Sequence, residues 1–259
     1  MDLKNNTILI TGGTSGFGLE FAKQLTQLGN IVIVTGRNQQ KLDETKQMFP
    51  SVHTFQSDVT DTHSIVELYE KVTKAFPDLN ILINNAGEMR KLNLNDSAND
   101  LNNIGREIEI NLLGPIRMTQ QFLPHLKSQK SAAILNVTSG LALVPFPIAP
   151  IYGATKSGLR SYTLSLRVQL KNTKIKVFEL LAPATKTPLM DKFTNDFEGL
   201  SMMNTEKLVS TAINGMKQDK FEIYPGISKA LRIVSRLAPR FLLGQLSKPM
   251  NEMLKNHTK

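Results

Sequence analysis

No cysteine occurs in the 259-residue chain, so disulfides and thiolate nucleophiles are both excluded, and no particular redox compartment is demanded. Uninterrupted apolar runs of about 18 residues are missing too, which argues against a transmembrane helix. The opening Met1-Asp2-Leu3-Lys4-Asn5-Asn6 lacks the basic region, long apolar stretch and small-residue cleavage site of a secretory leader, so the expected location is cytoplasmic. Four histidines, His53, His63, His125 and His257, stand apart from one another with no HExxH pattern or carboxylate cluster beside them, and no metal is expected. Linkers rich in Pro, Gly or Ser, internal repeats and low-complexity tracts are absent, which leaves nothing to divide the chain into two domains.

What is present is an ordinary globular composition, 41% apolar and 20% charged, with enough length to bury a sizeable core. The net charge is +9, a value that invites a nucleic-acid reading. Its distribution argues the other way. From Ile227 to Lys259 there are seven Lys/Arg and one Glu, a net of +6, which leaves +3 on the rest of the chain. Lys229, Arg232, Arg236 and Arg240 form one helical stripe without interleaved aromatics, and no nucleic-acid partner is expected. With Leu231, Ile233, Val234, Leu237, Phe241 and Leu242 beside it, Ile227–Leu246 reads as an amphipathic helix. Such a helix either docks on the body or a second subunit, or makes weak peripheral contact with a membrane. Pro239 interrupts the pattern.

Apolar, β-rich runs alternate with helical patterns. Strands are expected at 7–11, 31–35, 52–56, 81–84, 132–137, 176–181 and 221–224, and helices at 18–28, 39–48, 62–75, 107–126 and 151–170. Several of the strands are continuous apolar runs, as a sheet covered on both faces requires. The alternation implies βαβ units and a parallel sheet with right-handed crossovers.

Thr11-Gly12-Gly13-Thr14-Ser15-Gly16-Phe17-Gly18 follows the first strand and opens the first helix. A turn this tight needs glycine, and a helix N-terminus offers unpaired N–H groups and a positive dipole end to a pyrophosphate. An NAD site places a carboxylate about 20 residues further on. Here the second strand ends Thr35-Gly36-Arg37-Asn38, with no acid before Asp43. Arg37 offers a planar fork suited to a 2′-phosphate, which favours NADP(H) over NAD(H).

Later in the chain, Tyr152-Gly153-Ala154-Thr155-Lys156 sets a tyrosine and a lysine four apart, on one helical face. A free phenol has a pKa of about 10, and a neighbouring ammonium is expected to lower it. Thr138-Ser139 closes the strand before. Ser139 either binds a substrate oxygen or caps the strand end.

These motifs together, with Asn84-Asn85-Ala86-Gly87 after the fourth strand, resemble the short-chain dehydrogenase/reductase family over about residues 5–190, and within it the DltE-like bacterial oxidoreductases, a subgroup that implies no defined substrate. The glycines at 12, 16 and 18 match its TGxxxGxG spacing. The resemblance implies a Rossmann-type, doubly wound, seven-stranded sheet in order 3-2-1-4-5-6-7. With the basic segment set apart by its charge, the chain reads as a catalytic and dinucleotide-binding body at 1–226, with 227–259 as a basic extension of the same domain. The resemblance also implies hydride transfer between a carbonyl and an alcohol, a catalytic tetrad of Asn111, Ser139, Tyr152 and Lys156, and a homodimer or homotetramer. A catalytically quiet NADP(H)-binding scaffold is the alternative.

Residues expected around the cofactor are Gly12, Thr14, Ser15, Gly16, Phe17, Gly18, Arg37, Asp58, Val59, Asn85, Ala86, Gly87, Tyr152, Lys156, Pro183, Thr185 and Thr187. Asn84 either braces the sheet or touches ligand, and Asn111 has a local backbone brace as its plainer role. Ser15 stands where NADP-preferring members often carry a second basic residue. Glu88 departs from the apolar residue usual after NNAG; it either sets a carboxylate near the mouth of the site or faces solvent. After the sixth strand the family pattern PGxVxT is replaced by Pro183-Ala184-Thr185-Lys186-Thr187-Pro188, which leaves Thr185 or Thr187 to supply the hydroxyl contact. Leu141, Val144, Phe146, Met190 and Phe193 are the expected substrate pocket. They are mostly apolar, so the substrate is expected to be an apolar carbonyl or alcohol; their alternative is to pack on one another.

Overall fold

The computed structural model describes residues 1–96, 100–197 and 202–257. Seven strands, β1 (Thr7–Thr11), β2 (Ile31–Gly36), β3 (His53–Gln56), β4 (Leu79–Asn84), β5 (Ala132–Ser139), β6 (Ile175–Ala182) and β7 (Glu222–Ile223), form one sheet in the order β3-β2-β1-β4-β5-β6-β7. Every pairing is parallel. Each crossover therefore needs an intervening helix: α1 (Gly16–Gln27), α2 (Gln39–Met48), α3 (Thr62–Ala75), then α4 (Leu101–Ile104), α5 (Arg106–Ile108) and α6 (Gly114–Ser128), then α7 (Pro150–Gln169) and α8 (Thr205–Lys217). The short α8 was not foreseen. Its apolar positions Leu208, Val209, Ala212, Ile213 and Met216 are all buried and fit one helical face.

Alternation along the strands splits the core into two layers. Ile8, Ile10, Val32, Val34, Ile81, Ile83, Leu135, Phe178 and Leu180 face α1 and α8. Leu9, Ile33, Leu82, Ile134 and Val177 face α3, α6 and α7, meeting Leu68, Phe122 and Leu166. Each large apolar side chain so buried contributes roughly 1.5–3 kcal/mol. Charge is buried as well. Glu179 of β6 is fully buried, ion-paired with Arg160 of α7 and accepting a bond from Thr138 Oγ1 at 2.8 Å. Arg160 also donates to Glu222 of β7 at 3.1 Å. Burial pushes the Glu179 carboxyl up to about 7. Losing Arg160 would strand that carboxyl and cost about 3–5 kcal/mol, so the pair pins α7 to the sheet.

Two helical expectations are revised. The segment 107–126 is not one α-helix: Glu109–Leu113 is a π-helical turn, with Gly114 N–H bonding the Glu109 carbonyl. Pro115 is the reason, because it has no N–H to offer the Asn111 carbonyl four residues back. The segment 227–246 is two helices, α9 (Ser228–Leu237) and α10 (Pro239–Leu246), followed by α11 (Lys248–His257). Ala238 leaves the helical region, at φ −138° and ψ 56°, since a residue before proline is disfavoured there. No helix among the described residues is long and apolar enough to cross a membrane.

Candidate active site

The carboxyl ends of β1, β4 and β5 open onto one cleft. At its head Gly12 and Gly16 adopt positive φ, 63° and 52°, conformations that other residues reach at a cost. A Cβ on Gly18 would lie 2.3 Å from the Gly12 carbonyl oxygen, so Gly18 serves the close approach of helix to turn. Thr11 then stitches the turn to the end of β4. Its Oγ1 accepts from the N–H groups of Asn85 at 3.0 Å and Ala86 at 3.1 Å. Asn85 Nδ2 returns bonds to the carbonyls of Thr11 and Gly12 at 3.0 and 3.1 Å. Asn84 lies behind this layer, buried, donating to Asn136 Oδ1 at 2.8 Å and Thr119 Oγ1 at 3.1 Å. It is a sheet brace.

Gly12, Thr14, Ser15, Gly16, Phe17, Arg37, Asp58, Val59, Asn85, Ala86, Gly87, Tyr152, Lys156 and Thr187 all line the cleft. Gly18, Pro183 and Thr185 are placed otherwise. Thr185 is buried and its hydroxyl donates to the Pro183 carbonyl at 2.8 Å, so of the two threonines only Thr187 faces the cleft. Lys186 is exposed. Glu88 is half-buried and ion-paired with Arg106 at 2.9 Å.

At the inner end of the cleft stand Tyr152 and Lys156, one turn apart on α7 and both buried. Lys156 Nζ lies 5.7 Å from the Tyr152 ring centroid and donates to the Val137 carbonyl at 2.9 Å. Ser139, closing β5, acts on the Tyr152 phenol to lower its pKa, and its Oγ accepts from Leu141 N–H at 3.1 Å. Asn111 is fully buried in the π-turn. Its amide clasps the Glu88 backbone in both directions at 2.8 Å. A Cβ on Gly87 would sit 3.3 Å from Asn111 Oδ1 and 3.7 Å from Lys156 Nζ, which measures how closely these groups converge. All four tetrad positions thus gather at one place, with Asn111 acting there as a backbone brace.

The expected acidification of the phenol is not present in this geometry. Burial pushes Tyr152 up to about 12, the Glu107 carboxylate adds to the rise, and the Ser139 bond offsets part of it. The ammonium spends its bond on Val137, and burial lowers it to about 8. Desolvation outweighs the cation's pull when both groups leave water.

Family comparison rests on this same stretch of chain: the short chain dehydrogenase family matches residues 6–198. The chain is a short chain dehydrogenase. It is an oxidoreductase acting on CH–OH and C=O groups. The uncharacterized oxidoreductase DltE of Bacillus subtilis is 42% identical over 238 residues, covering 91% of this chain and 94% of that one. Among solved structures, a short chain dehydrogenase of Burkholderia cenocepacia in complex with NADP gives a TM-score of 0.82 at 22% identity, covering 95% and 99% of the two chains. A short chain dehydrogenase/reductase of Burkholderia phymatum in complex with NAD gives 0.82 at 20%, covering 90% and 93%. Those two likenesses are of fold.

Two residues of this dehydrogenase's site escaped the sequence reading. Lys41, in the first turn of α2, lines the cleft beside Arg37; its position four after Arg37 was the available signal. Glu107 is a buried carboxylate, bonded to the Arg90 guanidinium at 3.3 Å and to its N–H at 3.2 Å. No local pattern marks it, because Arg90 and Glu107 belong to different segments.

Phe146, Met190 and Phe193 are buried in one apolar cluster with Met89 and Tyr152, and Leu141 packs against it. The Phe146 and Phe193 rings lie 6.4 Å apart. Leu246, Met250 and Met253, from α10 and α11, pack against the same cluster. Val144 is placed apart from it, in a shallow groove with Pro145, Pro147 and Ala154 that Phe146 also touches.

Proposed function

We propose that this short chain dehydrogenase is an NADP(H)-dependent reductase of an apolar aldehyde or ketone, with Tyr152 as the proton donor. The observation that carries the reading is Tyr152 itself. It stands where the glycine-turn cleft ends and the apolar cluster begins, one helical turn from Lys156. Arg37 and Lys41 support the choice of cofactor. Both are exposed basic side chains at the end of the cleft beyond β2, and among the described residues no carboxylate pairs with either. A 2′-phosphate would meet two cations there.

The bound nicotinamide would supply the hydride. The chain's own groups would do the rest. A phenol held near 12 is fully protonated at neutral pH, the state a carbonyl reduction consumes; alcohol oxidation would need the phenolate that burial disfavours. As charge develops on the substrate oxygen, Ser139 offers a hydroxyl bond and Tyr152 passes its proton. The Lys156 ammonium lies close enough to stabilise the phenolate left behind. The apolar wall from Phe146, Met190 and Phe193 excludes water and receives an apolar substrate.

The test is NADPH oxidation over a panel of apolar aldehydes and ketones. Tyr152→Phe is expected to lower turnover by about 10²- to 10⁴-fold while leaving NADPH binding, followed by its fluorescence, in place. Turnover that survives the substitution would overturn the mechanism. Tight NADPH binding without turnover across the panel would favour a scaffold.

A further inference from the structure

We propose that the outward face of α9 and α10 is a docking surface for an anionic phospholipid bilayer, on which the enzyme lies without spanning. The helices turn a mixed face to solvent. Ile233 and Leu237, four apart on one side of α9, are 55% and 80% exposed, and Phe241 of α10 is 62% exposed. Lys229, Arg236 and Arg240 are exposed beside them. Arg232 is also exposed, its guanidinium 4.8 Å over the Tyr224 ring of the body. The opposite side of α9 is anchored: Ser228 is fully buried, and a Cβ on Gly140 would lie 3.0 Å from a Leu231 methyl. The outward side is therefore fixed by packing and is not left free to roll inward.

Leaving three large apolar side chains in water costs free energy, whereas a lipid interface would bury the apolar chains and let long basic side chains reach the headgroups. Charge selects the occupant. From Ile227 the sequence has no acid until Glu252, so an isologous contact between two copies of this face would set its cations against their own images. An anionic bilayer answers both the charge and the exposed apolar chains. The segment is also continuous with the site. Leu246, Met250 and Met253, which follow directly, pack on the cluster that covers Tyr152, so the element that would touch lipid also walls the proposed apolar pocket.

Removal of the whole segment would strip that wall, so point changes on the outward face are the appropriate probe. The full chain, with NADPH, is sedimented with vesicles of phosphatidylcholine alone and of phosphatidylcholine and phosphatidylglycerol in equal parts. Wild type is expected to pellet with the anionic vesicles and not with the neutral ones, and to be released by high salt. Each of Arg236→Gln and Arg240→Gln should weaken partitioning about fivefold. Leu237→Ser with Phe241→Ser should abolish pelleting, while NADPH binding and sedimentation velocity without vesicles stay as in wild type. Wild type remaining in the supernatant, or equal pelleting by the double variant, would overturn the proposal. So would a double variant that shifts from dimer to monomer in vesicle-free buffer, since the face would then be a contact between copies. A chain that pellets but oxidises no NADPH would keep the docking surface and sink the enzymatic reading instead.

Discussion

The two ends of the cleft are built from different materials. The end proposed above to hold the cofactor is backbone: glycines at positive φ, a carbonyl 2.3 Å from where a Gly18 methyl would go, and Thr11 and Asn85 bonded to main-chain groups. The other end, proposed above to take the substrate, is side chain, contributed by the segment after β4, the loop after β5, the segment after β6 and the C-terminal helices. Five of its members, Met89, Met190, Met202, Met250 and Met253, are methionines, whose unbranched thioether chains fill irregular space and repack readily. A phosphate group is the same in every dinucleotide, so a rigid cradle suits it. An apolar substrate is recognised by shape, and shape is set by residues that can be exchanged. The difference predicts that one added methyl at the first end does more harm than a larger change at the second.

Gly18→Ala is the severest trial of that contrast. The new Cβ would fall 2.3 Å from the Gly12 carbonyl oxygen and 2.6 Å from Asn85 Nδ2, so the turn must move. Overpacking of this kind costs about 1–3 kcal/mol in stability. A displacement of about 1 Å near the reacting groups costs on the order of 10²-fold in rate. Thermal melting and kcat/KM should both fall, with NADPH and NADH affected alike. Unchanged kinetics would mean that the cradle is softer than its geometry implies.

Arg37→Ala acts on the same end but on one cofactor only. A charge-assisted hydrogen bond contributes roughly 1.5–3 kcal/mol, so NADPH affinity should fall about tenfold to a hundredfold while NADH affinity holds. Lys41→Ala should follow with a smaller loss. Equal losses for both dinucleotides would remove the 2′-phosphate from the account.

The legibility of the two ends in the sequence follows from the same contrast. Backbone-built features advertise themselves, because Gly12, Gly16 and Gly18 are demanded at fixed spacing by one short turn. Tyr152 and Lys156 are likewise four apart on one helix. Strand positions were readable for the same local reason: continuous apolar runs at β1, β2, β4, β5 and β6 can only be buried on both faces. What could not be read depends on contacts between distant segments. Glu107 meets Arg90 across 17 positions, and Leu246, Met250 and Met253 reach the Tyr152 cluster from about a hundred residues away. The π-turn at Glu109–Leu113 was within reach through Pro115. The spacing of Tyr152 and Lys156 gives their nearness and says nothing of the burial that pushes the phenol up.

At the junction of the two ends, pH offers a smaller but continuous test. Burial disfavours the charged form of Lys156, so its ammonium is held below about pH 8 and lost above it. Tyr152, near 12, keeps its proton throughout that range. If the ammonium assists the proton step, kcat/KM for carbonyl reduction should fall beyond pH 8, approaching about tenfold per unit. A profile flat to pH 10 would detach Lys156 from proton transfer and leave it a purely structural role.

The mildest expected change lies in the apolar wall, and it is the one that most directly separates the two ends. Met190 is buried at 8% exposure in the cluster that covers Tyr152. Met190→Leu keeps the volume nearly constant and costs less than about 1.5 kcal/mol, but it replaces a flexible chain by a branched one. NADPH affinity should not move, because no atom of Met190 belongs to the dinucleotide cleft. The ratio of kcat/KM values across a series of aldehydes of increasing length should change by a few-fold, since a methylene misfit in an apolar pocket costs roughly 1–3 kcal/mol. A substitution that altered cofactor affinity and left the length profile untouched would show that the cluster supports the cradle and does not shape the substrate. The division between a backbone-built end and a side-chain-built end would then fail at its most exchangeable residue.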